Sequence, residues 1–345
     1  MKSRKIILKS IYILLFLPYL TSCIIETAKA PSKQSVKIYT DCLSNKEIIF
    51  FKKFQQKEHI KVKIIHLPTD TILKKLKKQR FNSTADVIIL KSLFGISKAN
   101  KLDLLQPWKS WKMKELILPH YRSKQNTWFG IGIDPYVFVA KNDSVSTINS
   151  MGDLLYTEVM DKWSSDLESS TDLVPLLAPI LKKKTRLGAK DWYYEFKRNQ
   201  HSQANETDQE GKPIMTTDVL MTYYSSYLKM SERNDSTDLQ LQLLFSNQKQ
   251  RGAYYNMHCI GIVKQARNFE NAKLLVEYIS SAQTNEKLNN FWKSFPISLH
   301  SRIHPFAYQN TFFKIATISH QRLMVNYPHL EKIILKNENE KNKTE

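Results

Sequence analysis

Between Val36 and Leu90 the chain alternates short apolar runs with stretches of helical periodicity, and no other feature restricts its fold as much. Val36 to Tyr39, Val62 to Leu67 and Asp86 to Leu90 read as strands, the last of them apolar enough to be buried on both faces. Lys46 to Lys57 (KEIIFFKKFQQK) carries its apolar residues at helical spacing, and Thr69 to Lys78 (TDTILKKLKK) opens with capping-type residues. Strand, helix, strand, helix, strand with short connections implies α/β architecture, with a parallel sheet covered on both faces.

A second block of strand character begins at Trp128 (WFGIGIDPYVFVA). Tyr136 to Ala140 is its strongest β run, and Pro135 marks the entry. Helices are expected near Ile148 to Tyr156, Leu173 to Lys184 and Ala189 to Arg198. Ser202 to Pro213 is polar and aperiodic, and reads as a loop. A helix through Asp218 to Met230 and a strand near Leu239 to Phe245 follow. Two helices then fill Asn268 to Lys293, separated at Ser280-Ser281, and the charged tail over 336–345 is expected to fray.

The first 22 residues have the pattern of an export signal. Lys2, Arg4, Lys5 and Lys9 give a positive start, and the apolar run from Ile11 to Leu17 is too short to span a bilayer. It closes on Leu20-Thr21-Ser22-Cys23, which matches the bacterial lipobox and makes Cys23 the expected lipidated N-terminus. The polar residues up to 35 suit a tether. The formal charge is +20, and the leader accounts for only four of those positives, so the exported body is strongly basic. Lysines cluster at Lys74-Lys75-Lys77-Lys78 and at Lys182-Lys183-Lys184. Export argues against a nucleic-acid partner, and attraction to anionic lipid or an anionic ligand is the simpler expectation. With Cys23 lipidated, Cys42 and Cys259 are left, too few for a disulfide framework but enough for one bridge.

Several blocks in order resemble the periplasmic ferric-iron-binding branch of the ABC-transporter solute-binding proteins. They are VKIYTDCLSNKEIIFFKKFQQKEHIKVKII, TADVIIL with ANKLDLLQPW, WFGIGIDPYVFVAKN, DVLMTYYSSYL and FSNQKQRGAYYNMHCIGIVKQARNFENAKLLVEYISSAQ, which together span about residues 36–297. The resemblance implies two α/β lobes joined by two hinge strands, with ligand in the cleft between them. After the leader (1–22) and tether (23–35), it places lobe one at 36–135, completed by about 251–290. Lobe two falls at 136–250, completed by part of 291–335, ahead of the disordered tail (336–345).

The same resemblance implies a metal site. Tyr223 and Tyr224 match the family's adjacent tyrosine ligands, and Fe3+, a hard and highly charged ion, favours such anionic oxygen. Packing inside the lobe is the alternative role for this pair. Elsewhere the chain departs from the family pattern. The first-lobe ligand position falls near Leu43 and the carboxylate position near Lys91; Leu43 cannot ligate, and a protonated Lys91 repels Fe3+. Oxygen could instead come from Asp41, Ser44 or Asn45 in the same loop, with phenols from Tyr136 or Tyr255. Alternatively Lys91, facing the tyrosines, with Ser169, Ser170 and Thr171 as neutral donors, would suit an anion or a metal–anion complex. A softer Cys42, His258, Cys259 cluster for zinc or copper is a third arrangement.

The functional expectation is a substrate-binding lipoprotein of an ABC importer. It would hold ferric iron, a related metal or a metal with a synergistic anion, would be anchored at Cys23 in the periplasm or at the cell surface, and would meet a permease. The alternatives are a changed-specificity anion or small-solute binder, and a ligand-free scaffold or sensor lipoprotein. No G-x-S-x-G, H-E-x-x-H or C-x-x-C occurs, and Gly130 and Gly132 lack the third glycine of a phosphate-cradling loop, so an enzyme is not expected.

Overall fold

The computed structural model describes residues 34–79, 82–141, 148–155, 163–167, 172–177, 192–194, 217–233, 241–302 and 313–316, with short stretches at 190, 196–197, 201–202, 329–330 and 332–333. Strands β1 (Ser35–Thr40), β2 (Lys61–His66) and β3 (Val87–Leu90) are parallel, in the order β2-β1-β3. A 3-10 turn (Asn45–Phe51) and α1 (Lys52–Glu58) connect β1 to β2, and α2 (Thr69–Lys78) leads on to β3. All four residues of β3 are buried, as a strand covered on both faces requires. Helix α2 buries Ile72, Leu73 and Leu76 and turns its lysines to solvent. The alternation in the sequence is the alternation in the fold.

After α3 (Leu93–Lys101) and α4 (Trp111–Leu116) comes β4 (Trp128–Lys141), fourteen residues long. The expectation that a strand starts at Pro135 is corrected here: the strand runs straight through the proline. Residues 128–135 pair antiparallel with β9 (Tyr255–Ile262), which also pairs with β3. Residues 136–141 pair instead with β7 (Val219–Tyr223) and β8 (Leu241–Phe245). Proline cannot donate to a ladder, and it stands where β4 changes partners, opposite Tyr255. The next amide, Tyr136 N–H, donates to the Tyr254 carbonyl at 2.9 Å. One strand is therefore shared. Its first half extends the sheet β2-β1-β3-β9, and its second half extends β7-β5-β6, where β5 is Trp163–Ser165 and β6 is His201–Ser202.

The helix expected from Asp218 is also corrected. Val219–Tyr223 is a strand buried along its whole length between β4 and β5, and α5 (Tyr224–Arg233) starts only at Tyr224. Burial on both flanks overrides the helical spacing of its apolar residues. Near Ile148, only a 3-10 turn (Asp153–Leu155) forms; the Asp153 carboxylate accepts from the amides of Asn149 (2.8 Å) and Ser150 (2.7 Å) and ends the loop in a tight turn. Residues 172–177 are helical, while the rest of the helix expected to Lys184, most of the loop after Ser202, the leader, the tether and the tail lie outside the described residues.

The closing helices α6 (Phe269–Ser280) and α7 (Ala282–Trp292) meet at Ser281, close to the expected break. Helix α7 grips the shared strand at a bulge, where the register of β4 shifts between Gly130 and Gly132. The Ile131 carbonyl accepts there from the side-chain Nδ2 groups of Asn285 and Asn289, each at 2.7 Å. Among the described residues no helix is long and apolar enough to cross a membrane.

Candidate ligand-binding site

The change of partners in β4 brings two phenols side by side. Tyr136 is the first residue of the second ladder, and its register partner is Tyr223, the last residue of β7. Directly opposed residues of an antiparallel pair share a face; the two rings lie 4.9 Å apart at 30° and their hydroxyl oxygens 3.5 Å apart. Both protons are committed to one residue. Tyr136 Oη donates to the Asp172 main-chain carbonyl at 2.6 Å, and Tyr223 Oη donates to Asp172 Oδ1, also at 2.6 Å. Asn256, at the start of β9, donates from Nδ2 to Tyr223 Oη at 3.0 Å, while its Oδ1 accepts from the amides of Leu93 and Met257. The phenol of one half is thus tied to the first turn of α3 in the other.

Lys91, at the end of β3, completes the group. Its ammonium lies 4.8 Å from the centroid of the Tyr223 ring, within range for a cation–π contact. Asp166 stands nearby: it accepts from Thr222 Oγ1 at 2.6 Å, and both the Asp172 carboxylate and the Lys91 ammonium act on its charge. The acidities follow from this setting. Burial first, then the Asp172 carboxylate, pushes the Tyr136 phenol well above its ordinary value. Burial, followed by the neighbouring Tyr136 and Asp172, does the same for Tyr223. Burial also raises Asp166. Without a cation both phenols keep their protons; a hard cation able to displace them would meet two phenolate oxygens, a carboxylate oxygen and a main-chain carbonyl.

The remaining residues singled out in the sequence are distributed differently. Tyr224 faces away from its neighbour: its ring packs on Phe295 (4.9 Å), Phe245 (5.8 Å) and Tyr227 (6.2 Å), and it is fully buried. Adjacent residues at a strand-to-helix junction leave in different directions. Asp41 pins its own loop, accepting from Thr69 Oγ1 and, at 2.7 Å, from the Lys91 amide. Ser44 is exposed and caps the 3-10 turn, exchanging hydrogen bonds with Lys46 N–H and the Glu47 carboxylate. Tyr255 is buried in β9, edge-on to Tyr121. Leu43 is a core residue. Ser169, Ser170, Thr171 and Cys23 lie outside the described residues.

Cys42 and Cys259 are free thiols, both pushed well above the ordinary thiol range, chiefly by burial. Among the described residues no three His, Cys, Asp or Glu side chains stand close enough to hold a metal, so the Cys42, His258, Cys259 cluster does not form. Asp172, Asp166 and Asn256 were not foreseen. Asp172 directly follows the Ser169 to Thr171 segment, and a carboxylate beside a run of hydroxyls was the available signal.

Asp134, just before the crossing point, adds a pH response. It is buried at 3 % exposure and accepts from Ser225 N at 3.0 Å and Ser225 Oγ at 2.5 Å in the first turn of α5. Burial raises its pKa to about 6 against those hydrogen bonds and against the nearby Lys91 and Lys229 charges. A carboxyl that binds its proton more tightly when folded stabilises the fold below its unfolded pKa. That contribution is lost as pH rises from about 4 to about 6, an effect of about 3 kcal/mol for about two units. Asp134→Asn, which keeps an acceptor for Ser225 N–H, is expected to flatten the urea midpoint across this window and to raise it at pH 7. A midpoint at pH 7 below that of the parent chain would contradict this.

Two α/β halves that share one long strand, with polar groups of both meeting at the crossing, define the two-lobed fold of the periplasmic binding proteins. No protein-family model matches the chain. Among curated proteins it is 26 % identical over 274 residues to iron uptake protein A1 of Synechocystis sp., covering 75 % of each chain. Among solved structures it is similar to the ferric binding protein from Campylobacter jejuni, with a TM-score of 0.78, 23 % identity, and 87 % of this chain and 98 % of that one covered. It is also similar to the Trichodesmium IdiA (FutA) protein in complex with iron and citrate, with a TM-score of 0.75, 21 % identity, and coverage of 88 % and 98 %. The resemblance read from the sequence blocks is borne out by these comparisons, and with it the two-lobed α/β fold.

Proposed function

We propose that this chain is the substrate-binding component of an ABC importer, carrying ferric iron together with an anion between its two halves. The observation that carries the reading is the convergence of Tyr136, Tyr223 and Asp172, oxygen donors whose protons a trivalent cation can displace. The similar proteins point the same way: they are named for iron uptake and ferric binding, and one is described with iron and citrate. On this reading the chain holds cargo and performs no covalent chemistry, so it is not an enzyme. It works outside the inner membrane, anchored through a lipid on Cys23, and delivers to a permease. Closure of the halves, which share β4 and are tied through Asn256, would signal occupancy.

Lys91 favours a complex over the bare ion. Two phenolates and the Asp172 carboxylate balance the charge of Fe3+, and the ammonium, which also acts on the buried Asp166, adds a positive charge at the site for a ligand anion to meet. Ferric titration with and without citrate tests the proposal: a visible phenolate-to-iron charge-transfer band should grow to one equivalent. Absence of the band under both conditions would remove iron as the cargo; thermal stabilisation by an anion alone would then point to the changed-specificity alternative. Lys91→Met is expected to weaken binding of ferric citrate by about tenfold while strengthening citrate-free ferric binding, because the charge that repels the bare ion is gone. Equal losses in the two titrations would deny Lys91 its anion.

A further inference from the structure

A groove of about 720 Å³ lies against α2, neither Tyr136 nor Tyr223 lines it, and three of its seven lining residues are lysines. Lys74, Lys75 and Lys78 border it with Thr71, Gln79 and Asn82, and among the described residues no carboxylate lines it. Its floor is ordered: the Lys75 ammonium lies 5.4 Å from the centroid of the Tyr39 ring, Tyr39 Oη and Thr84 Oγ1 are 2.5 Å apart, and Gln79 Oε1 accepts from Thr84 Oγ1 at 3.2 Å. The edge strand β2 adds exposed Lys61 and Lys63. In the register of β1 with β2, Lys61 and Lys63 stand opposite Ser35 and Lys37, on the sheet face that carries Tyr39 and therefore Lys75, so the basic character belongs to that face rather than to one helix. A run of lysines on a helix is ordinarily a solvated face. This one borders a concave surface, largely apolar along the lysine stems and rimmed by their ammonium groups, which the phosphate oxygens of an amphipathic headgroup can approach.

The position of the groove identifies which phosphates. Residues leading out of α2 run alongside the first half of β1, where the Asp86 carboxylate accepts from Lys37 N at 2.9 Å. At the start of the same strand, Ser35 pairs with Lys61 of the basic edge. The preceding chain joins the body at that corner, twelve residues after Cys23. An extended chain of that length spans at most about 40 Å. We infer that this basic flank rests on the anionic phospholipid headgroups of the membrane that holds the chain, with the α2 groove taking headgroup phosphate. The inference builds on the proposed lipid anchor and extends it from a tether to an oriented contact.

The test uses the full lipidated chain in vesicles of phosphatidylcholine alone, or of phosphatidylcholine and phosphatidylglycerol at three to one. Acetylation rates of Lys74, Lys75 and Lys78 are read by mass spectrometry, with the exposed Lys124, Lys249 and Lys287 as references. Anionic vesicles are expected to slow the three groove lysines by about tenfold relative to the references, and high salt to restore them. Equal rates in both vesicles, equal slowing of the references, or the same slowing by inorganic phosphate on phosphatidylcholine alone would overturn the inference, the last by making the groove a free-phosphate site. Co-sedimentation with phosphatidylcholine vesicles reads the anchor separately. If the anchor fails there, the rates measured with anionic vesicles still decide the flank.

Discussion

Tyr223→Phe is expected to lower ferric affinity by more than the roughly hundredfold typical of losing an outer-shell partner, and to remove most of the charge-transfer band. Tyr224→Phe should leave both unchanged. The adjacent pair divides this way because β7 ends between them. Tyr223 stays in register with Tyr136 and reaches Asp172, whereas Tyr224 begins α5 inside the Phe245 and Phe295 cluster. Acidity supplies a second readout. Both Tyr136 and Tyr223 hold their protons well above the ordinary phenol range, so iron must expel a proton from each. Affinity should therefore rise with pH by about tenfold per unit for each phenol ionised. Competition against EDTA in the absence of citrate, measured for parent and variant across the same pH range, isolates the protein's share. Tyr223→Phe should reduce the slope by one proton, and Tyr224→Phe should not alter it. If Tyr224→Phe also lowers the slope, the two rings exchange roles when the halves close, and the division drawn here is wrong.

How much of this was legible in the sequence depends on how local each signal is. The parallel unit β1-α1-β2-α2-β3 was readable because its strands are short apolar runs separated by polar turns and helices of clear amphipathic spacing, so the order of its segments records its structure. Val219–Tyr223 was not, because the strand passes straight into the helix that starts at Tyr224 with no turn residue between them, so its apolar residues read as the first turn of that helix. Pro135 misled for a different reason: a proline ordinarily bounds a strand, and only the exchange of partner strands at that residue lets it sit inside one. The site was half legible. Lys91 and Tyr136 carried signals of position, whereas Asp172 and Asn256 acquire meaning only when two segments far apart in the chain meet.

Gly132→Ala is expected to destabilise the fold by about 3 kcal/mol, the upper range for overpacking combined with lost buried hydrogen bonds. A Cβ at Gly132 would stand 2.0 Å from Asn289 Oδ1, a distance no small adjustment can relieve. Asn289 would have to leave its place, giving up the bond from its Nδ2 to the Ile131 carbonyl and the bond its Oδ1 accepts from Ser294 Oγ at 2.7 Å. Those contacts hold α7 to the bulge of the strand that both halves share, so the cost falls on that strand. A double-mutant cycle tests the cause. Asn289→Ala removes the obstructing amide, and Gly132→Ala added to it should cost little more, whereas two independent effects would add. Urea midpoints of the four proteins decide between these outcomes: additivity would mean that Gly132 is required for the backbone geometry of the bulge and not for the room its missing side chain leaves to Asn289.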